Sequence, residues 1–198
     1  IVDAGGVVGY IFSSDLAQQD GREALLSFLG ADIFSGVVFS AGISRPMPLH
    51  LINDAYFDET FNTNVKSIFL ILSGLIKKRK LENAASVVLL SSIASVTGTK
   101  GTFAYSASKG ALVGSLKALT DEFSKKLIRI NAVAPAVVRT GIWTEEQELY
   151  LKQQEVSYPL GLAGAEDIAA IISFLLSDQS KLIVGQNLVV DSGCTYIK

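Results

Sequence analysis

The chain has one cysteine, Cys194, in 198 residues. No internal disulfide can form, which fits a protein kept in a reducing, cytoplasmic compartment. There is also one histidine, His50. With one cysteine elsewhere it cannot build a metal site, and a surface position at a helix start accounts for it. Neither sign of charge dominates: 17 Lys and Arg stand against 19 Asp and Glu, for a formal net charge of −2. The densest basic run is Lys77-Lys78-Arg79-Lys80, which fits a helix C-terminus, so no nucleic-acid partner is expected. Apolar runs such as Ile68–Leu72 are far too short to cross a bilayer, no secretory leader is visible, and no membrane partner is expected. Repeats and low-complexity tracts are absent.

What the chain does have is apolar bulk, 49% of its residues, enough for one sizeable core and one domain. β-branched, nearly continuous apolar runs occur at Val7–Ser13, Gly36–Ser40, Ser86–Ser91, Arg129–Ala134 and Asn187–Val190. Such runs suit strands buried on both faces. Helical patterns lie between them, at Gly21–Leu29, Asn53–Lys80, Thr102–Lys126, Glu145–Glu155 and Glu166–Leu176. This alternation predicts an α/β fold, a doubly wound parallel sheet with helices on both faces. Gly161–Gly164 reads as a hinge or turn within it.

In such sheets ligands bind beyond the carboxyl ends of the strands. Ala41-Gly42 follows the second strand run, where small residues admit a flat ligand and an ordinary turn fits equally well. Ser91 and Ser92 end the third, Pro135 turns the chain after the fourth, and Asp191-Ser192-Gly193 forms a corner after the last. The stretch Phe103–Gly114, FAYSASKGALVG, places Tyr105 and Lys109 four apart, on one helical face. A cation beside a phenol lowers its pKa, and a phenol so tuned can exchange a proton with an alcohol or carbonyl. With 6 Tyr in the chain, chance supplies a Tyr-x-x-x-Lys about 0.4 times, so the pair alone is weak. It gains weight from Ser92 at the end of the preceding strand and from Asn64, a polar amide in mid-helix where it needs a local partner.

With Asn64, Ser92, Tyr105 and Lys109 assembled, the chain resembles the short-chain dehydrogenase/reductase family from about Asp15 to Gly193. The carrying stretches are SSDL, FSAG, NTNVKS, VVLLSSIAS, YSASK, RINAVAPAVVRT and IVGQNLVVDSG. The resemblance implies a Rossmann-type single domain over 1–198 and an oxidoreductase that interconverts a carbonyl and a secondary alcohol, 3-oxoacyl thioesters among the candidates. Tyr105 would be the general acid/base and Ser92 would hold the substrate oxygen. Lys109 would hold the nicotinamide ribose and lower the pKa of Tyr105, and Asn64 would position a relay water. Asp15 and Leu16 would flank the adenine of NAD or NADP, Ala41 and Gly42 would line the cofactor, and Val65 would lie near the adenosine. Pro135, Val138 and Thr140 would meet the nicotinamide and pyrophosphate end. Residues 141–160 would form a substrate lid with Trp143, and Ile93, Ala94, Val96 and Tyr158 would line the substrate pocket. Pairing of the two long helices across a two-fold axis would give a homodimer or homotetramer.

The chain departs from the family pattern where a Thr-Gly-x-x-x-Gly-x-Gly turn should admit the pyrophosphate. DAGGVVG has glycines but no following helix, and Asp3 lies only twelve positions before Asp15. A strand–helix–strand passage does not fit there, so residues before Ile1, and some near Ala4–Gly6, are expected to be missing from this sequence. If IVDA ends a strand, Asp3 would accept hydrogen bonds from the adenosine ribose and favour NAD slightly. Phe39-Ser40-Ala41-Gly42 stands for the usual Asn-Asn-Ala-Gly, Pro135-Ala136 for Pro-Gly, and Asp191-Ser192-Gly193 for Asp-Gly-Gly. Two other readings stay open: a non-catalytic dinucleotide-binding or regulatory protein of this fold, and a sugar-nucleotide epimerase, for whose added substrate domain the chain lacks room.

Overall fold

The computed structural model describes residues 9–139 and 145–196. Four parallel strands make the central sheet in the order β1 (Phe34–Phe39), β2 (Leu81–Leu90), β3 (Arg129–Pro135) and β6 (Asn187–Val190). Every strand-to-strand passage runs through helix: α2 (Asp54–Phe61) and α3 (Ser67–Lys77), then α4 (Phe103–Phe123), then α5 (Glu145–Glu155) and α6 (Ala165–Leu176). A further helix, α1 (Gln19–Phe28), precedes β1 and packs on α3.

The pleat explains the two-sided burial. Val87, Leu89, Ile130 and Ala132 join a core with Ile68, Leu72, Leu112 and Leu116 of α3 and α4. Val88 and Val133, one step out of phase, join a second core with Ile168 and Leu175 of α6. Alternate residues of one strand thus serve opposite faces, and β3 is buried along its whole length.

Arg129 fastens α6 to this sheet. It is buried and donates to the carbonyls of Leu175, Ser177 and Ser180 and to the Ser180 hydroxyl, at 2.8 to 3.2 Å. A cation at a helix C-terminus meets carbonyls that lack helical partners. Arg129→Met should therefore lower unfolding free energy by about 3 kcal/mol, read as a shift in denaturant midpoint at unchanged slope.

Several expectations are corrected. Residues 9–13 of the run Val7–Ser13 form no strand; Tyr10 and Ile11 are 71% and 87% exposed, so no sheet face takes them up. The helical stretch 53–80 divides into α2, a π-helical turn at Asn62–Lys66, and α3. The hinge at 161–164 contains a short strand, β5 (Ala163–Gly164), parallel to β4 (Val138–Arg139). That bridge ties the turn after β3 to the start of α6. The basic run ends α3, but Arg79 turns left-handed (φ 54°) and Lys80 bonds the Gly30 carbonyl, joining the ends of α1 and α3. The corner at Asp191 forms as expected, its carboxylate taking the amides of Gly193 and Thr195 at 3.0 Å.

Candidate active site

The carboxyl ends of β1, β2 and β3 open on one cavity of about 220 Å³. Its walls include Gly42, Ser92, Tyr105, Lys109, Pro135 and Val138, so residues scattered over nearly a hundred positions converge. Larger cavities exist elsewhere, such as an apolar groove of about 420 Å³ between α3 and α4, but they lack this chemistry.

Tyr105 and Ser92 share the cavity. Burial pushes the Tyr105 phenol above its ordinary range, and a hydrogen bond with the Ser92 side chain partly offsets the rise. The expected lowering by Lys109 is thus not the dominant effect. Lys109 is 3% exposed, its Nζ donates to the Leu90 carbonyl at 2.7 Å, and it lies 5.8 Å from the Tyr105 ring centroid. The ammonium is thus anchored to the backbone within reach of the Tyr105 ring. Its own desolvation lowers the Lys109 pKa to about 8. At neutral pH the pair is a protonated phenol beside a protonated amine, a proton donor backed by a cation.

Asn64 is fully buried in the π-helical turn, a feature found often at functional sites. Its Oδ1 accepts from the Ile43 amide at 2.8 Å, and its Nδ2 donates to the Ile43 carbonyl and to Ser108 Oγ at 2.9 and 3.0 Å. Both amide hydrogens are therefore spent. A relay water would have to sit on the second lone pair of Oδ1 or on backbone. What the side chain visibly does is clamp the loop at Ile43.

The fit to a dinucleotide can be tested on this geometry. A methyl placed on Gly42 would meet Lys109 Nζ at 3.2 Å and Asn64 Oδ1 at 3.3 Å, so only glycine leaves room there for a neighbouring group. Leu16 and Ala41 line a second groove of about 360 Å³, and Ser40 lines both it and the Tyr105 cavity. The two spaces thus adjoin at Ser40 at the end of β1, one with an apolar wall at Leu16 and the other with a cation at Lys109, an order that suits an extended dinucleotide. Asp15 spends its carboxylate on the Ala17 amide at 2.9 Å and is exposed. Val65 is half-buried in the π-helical turn.

The substrate-pocket candidates separate. Ala94 donates its amide to Ser92 Oγ at 3.1 Å, and Ile93 begins the same short 3-10 turn. Val96 is 69% exposed, and Ile93, Ala94 and Val96 all lie outside the cavity lining. Tyr158 is buried beneath the turn after β3, its hydroxyl accepting from the Val137 amide at 3.4 Å, so it props the cavity floor rather than lining it. Asp3, Thr140 and Trp143 lie outside the described residues. Sequence reasoning placed Ala136 against the cofactor but missed Ser40, Ile43, Ser44 and Leu90 as lining residues and Ser108 as a partner of Asn64. Ser108 stood inside YSASK and could have been questioned as a buried hydroxyl; Ile43 acts through backbone and leaves no sequence signal.

A family model described as enoyl-(acyl carrier protein) reductase matches residues 2–195. The chain belongs to the short-chain dehydrogenase/reductase family. It is an oxidoreductase of that family, and Ser92, Tyr105 and Lys109 line one cavity in it. The 3-oxoacyl-[acyl-carrier-protein] reductase FabG of Chlamydia trachomatis is 30% identical over 95% of this chain and 83% of its own length. FabG of Rickettsia felis is 34% identical over 81% of this chain and 67% of its own. A short-chain dehydrogenase family protein of Francisella tularensis superposes with a TM-score of 0.87 at 29% identity, covering 94% of this chain and 81% of that one. No described helix is long and apolar enough to cross a membrane.

Proposed function

We propose that this dehydrogenase/reductase reduces the ketone of a 3-oxoacyl thioester to a secondary alcohol, using NADH or NADPH. The observation that carries the reading is Tyr105 and Ser92 facing one cavity beside Lys109. Two hydroxyls aimed at one place suit an oxygen that gains negative charge and then a proton. Reduction of a carbon–carbon double bond, which the family model's description names, would instead need a proton delivered to carbon. The FabG name of the curated relatives supports the ketone.

The nicotinamide, when bound, supplies the hydride to the carbonyl carbon. Ser92 holds the carbonyl oxygen by hydrogen bonding. Tyr105 gives its phenolic proton to that oxygen as charge develops there. The Lys109 ammonium stabilises the phenolate left behind and binds ribose hydroxyls. Asn64 holds the 41–43 loop against Lys109. Leu16, Ala41, Gly42, Pro135 and Val138 form the dinucleotide's walls, with Asp15 at the adenine end. Residues 145–160, with α5, close over substrate. The chain works as a single domain in a reducing, cytoplasmic setting. Two copies pair through the apolar groove of α3 and α4, where Phe69, Ile76 and Leu119 are only partly buried.

Asp3 favours NAD by accepting from the adenosine ribose. Steady-state KM values for NADH and NADPH test this: Asp3→Asn should move their ratio at least about fivefold toward NADPH, and an unchanged ratio rejects the role. The function itself is tested by following reduced nicotinamide absorbance with a 3-oxoacyl thioester. Steady oxidation with equimolar 3-hydroxyacyl product is expected; binding of both without oxidation refutes it.

A further inference from the structure

We propose that Ser108 is a positioning residue that couples the cofactor loop 41–43 to the helix carrying Tyr105, resting on the reading of that loop and that tyrosine given above. Ser108 is fully buried. Its hydroxyl donates to the Tyr105 carbonyl at 2.7 Å and accepts from Asn64 Nδ2 at 3.0 Å. A hydroxyl has one hydrogen, so once that goes to Tyr105 the oxygen can only accept from Asn64. This fixes which end of the Asn64 amide faces Ser108. The oxygen end then faces the Ile43 amide, and the second hydrogen faces the Ile43 carbonyl. The chain of bonds thus runs from the Ile43 backbone through Asn64 and Ser108 to the first turn of α4.

The clearance in this region gives the coupling its consequence. Gly42 sits within a methyl's reach of both Asn64 and Lys109. A small movement of the loop therefore changes the wall that meets the nicotinamide ribose. Without the Ser108 hydroxyl, one Asn64 hydrogen loses its partner in a place where Asn64 and Ser108 are both 0% exposed, and water has no access to replace it. The amide either stays unsatisfied or rotates and releases Ile43. Serine back-bonding within a helix does not by itself produce this. Ser115 bonds the Leu112 carbonyl in the same way at 2.7 Å and has no second partner among the described residues.

Two readouts test the coupling: equilibrium binding of reduced dinucleotide, followed by nicotinamide fluorescence, and hydrogen exchange at the Ile43 amide without ligand. Ser108→Ala should weaken binding about tenfold and speed Ile43 exchange by a similar factor. Ser115→Ala should leave both within about twofold of native. In an Asn64→Ala background the Ser108 change should add less than about twofold, since the bond it acts through is already gone. Native-like binding and exchange in Ser108→Ala would overturn the proposal, as would full additivity with Asn64→Ala. If the native protein binds no reduced dinucleotide, the functional reading fails instead, and Ile43 exchange alone decides the role of Ser108: faster exchange in Ser108→Ala upholds the tie, unchanged exchange overturns it.

Discussion

Tyr105→Phe should abolish turnover, lowering kcat by about a thousandfold or more while dinucleotide binding changes little. The change removes one oxygen and with it the acidic hydroxyl that is hydrogen-bonded to Ser92 in the cavity. Burial already keeps the phenol protonated through neutral pH, so the native group is a donor ready for the alkoxide that hydride addition creates. Phenylalanine keeps the ring and hence the contact with Lys109. The loss should therefore fall on kcat far more than on the dinucleotide KM, which separates proton transfer from binding. Stopped-flow binding and steady-state rates on the same preparation check this. A variant that keeps even a tenth of native kcat would remove Tyr105 from the proton step.

Lys109→Met should cost at least about a hundredfold in kcat/KM yet leave the protein folded. Two opposing contributions set its stability. Burial lowers the lysine from 10.5 to about 8, a cost near 3 kcal/mol at about 1.4 kcal/mol per pKa unit. Methionine removes that cost but leaves the Leu90 carbonyl without its donor, a loss of about 1–3 kcal/mol. The two nearly cancel, so unfolding stability at pH 7 should stay within about 2 kcal/mol of native. The sign with pH follows from the depressed pKa of a base. Below pH 8 both folded and unfolded lysine are charged, and the burial cost is felt in full. Between about 8 and 10.5 the folded form loses its proton first, so this group makes the native protein more stable as pH rises. The stability of the variant relative to native should therefore be highest below pH 8 and decline above it. Reduction activity should show the opposite consequence: native rates are expected to fall as the ammonium titrates near pH 8, and the residual rate of Lys109→Met should lack that step.

The layers of the fold were legible because burial on both faces leaves a plain mark. Val87–Leu89 is apolar without a break, Ile130–Val133 is broken only by the buried Asn131, and Asn187–Val190 stands as a strand with the expected bounds. Residues 9–13 misled for the same reason in reverse: they are apolar enough for a strand, but pairing with a neighbour, which local composition does not encode, is missing. The π-helical turn at 62–66 was invisible because its weak helix formers, Asn62, Thr63, Asn64 and Val65, carry no pattern that separates a π turn from a strained α turn. In the site, Tyr105, Lys109 and Ser92 could be named from spacing and strand ends. The direction of the Tyr105 pKa could not, since it depends on where the Lys109 ammonium points and how far the phenol is buried. Backbone partners such as Ile43 carry no side-chain signature at all.

The most direct measurement mixes native protein with NADH or NADPH and a 3-oxoacyl thioester near pH 7 and follows the nicotinamide absorbance. The arrangement of Ser92, Tyr105 and Lys109 predicts steady loss of that absorbance matched by 3-hydroxyacyl product, and none with Tyr105→Phe. A native protein that binds the reduced dinucleotide and the thioester together but leaves both unchanged would contradict it.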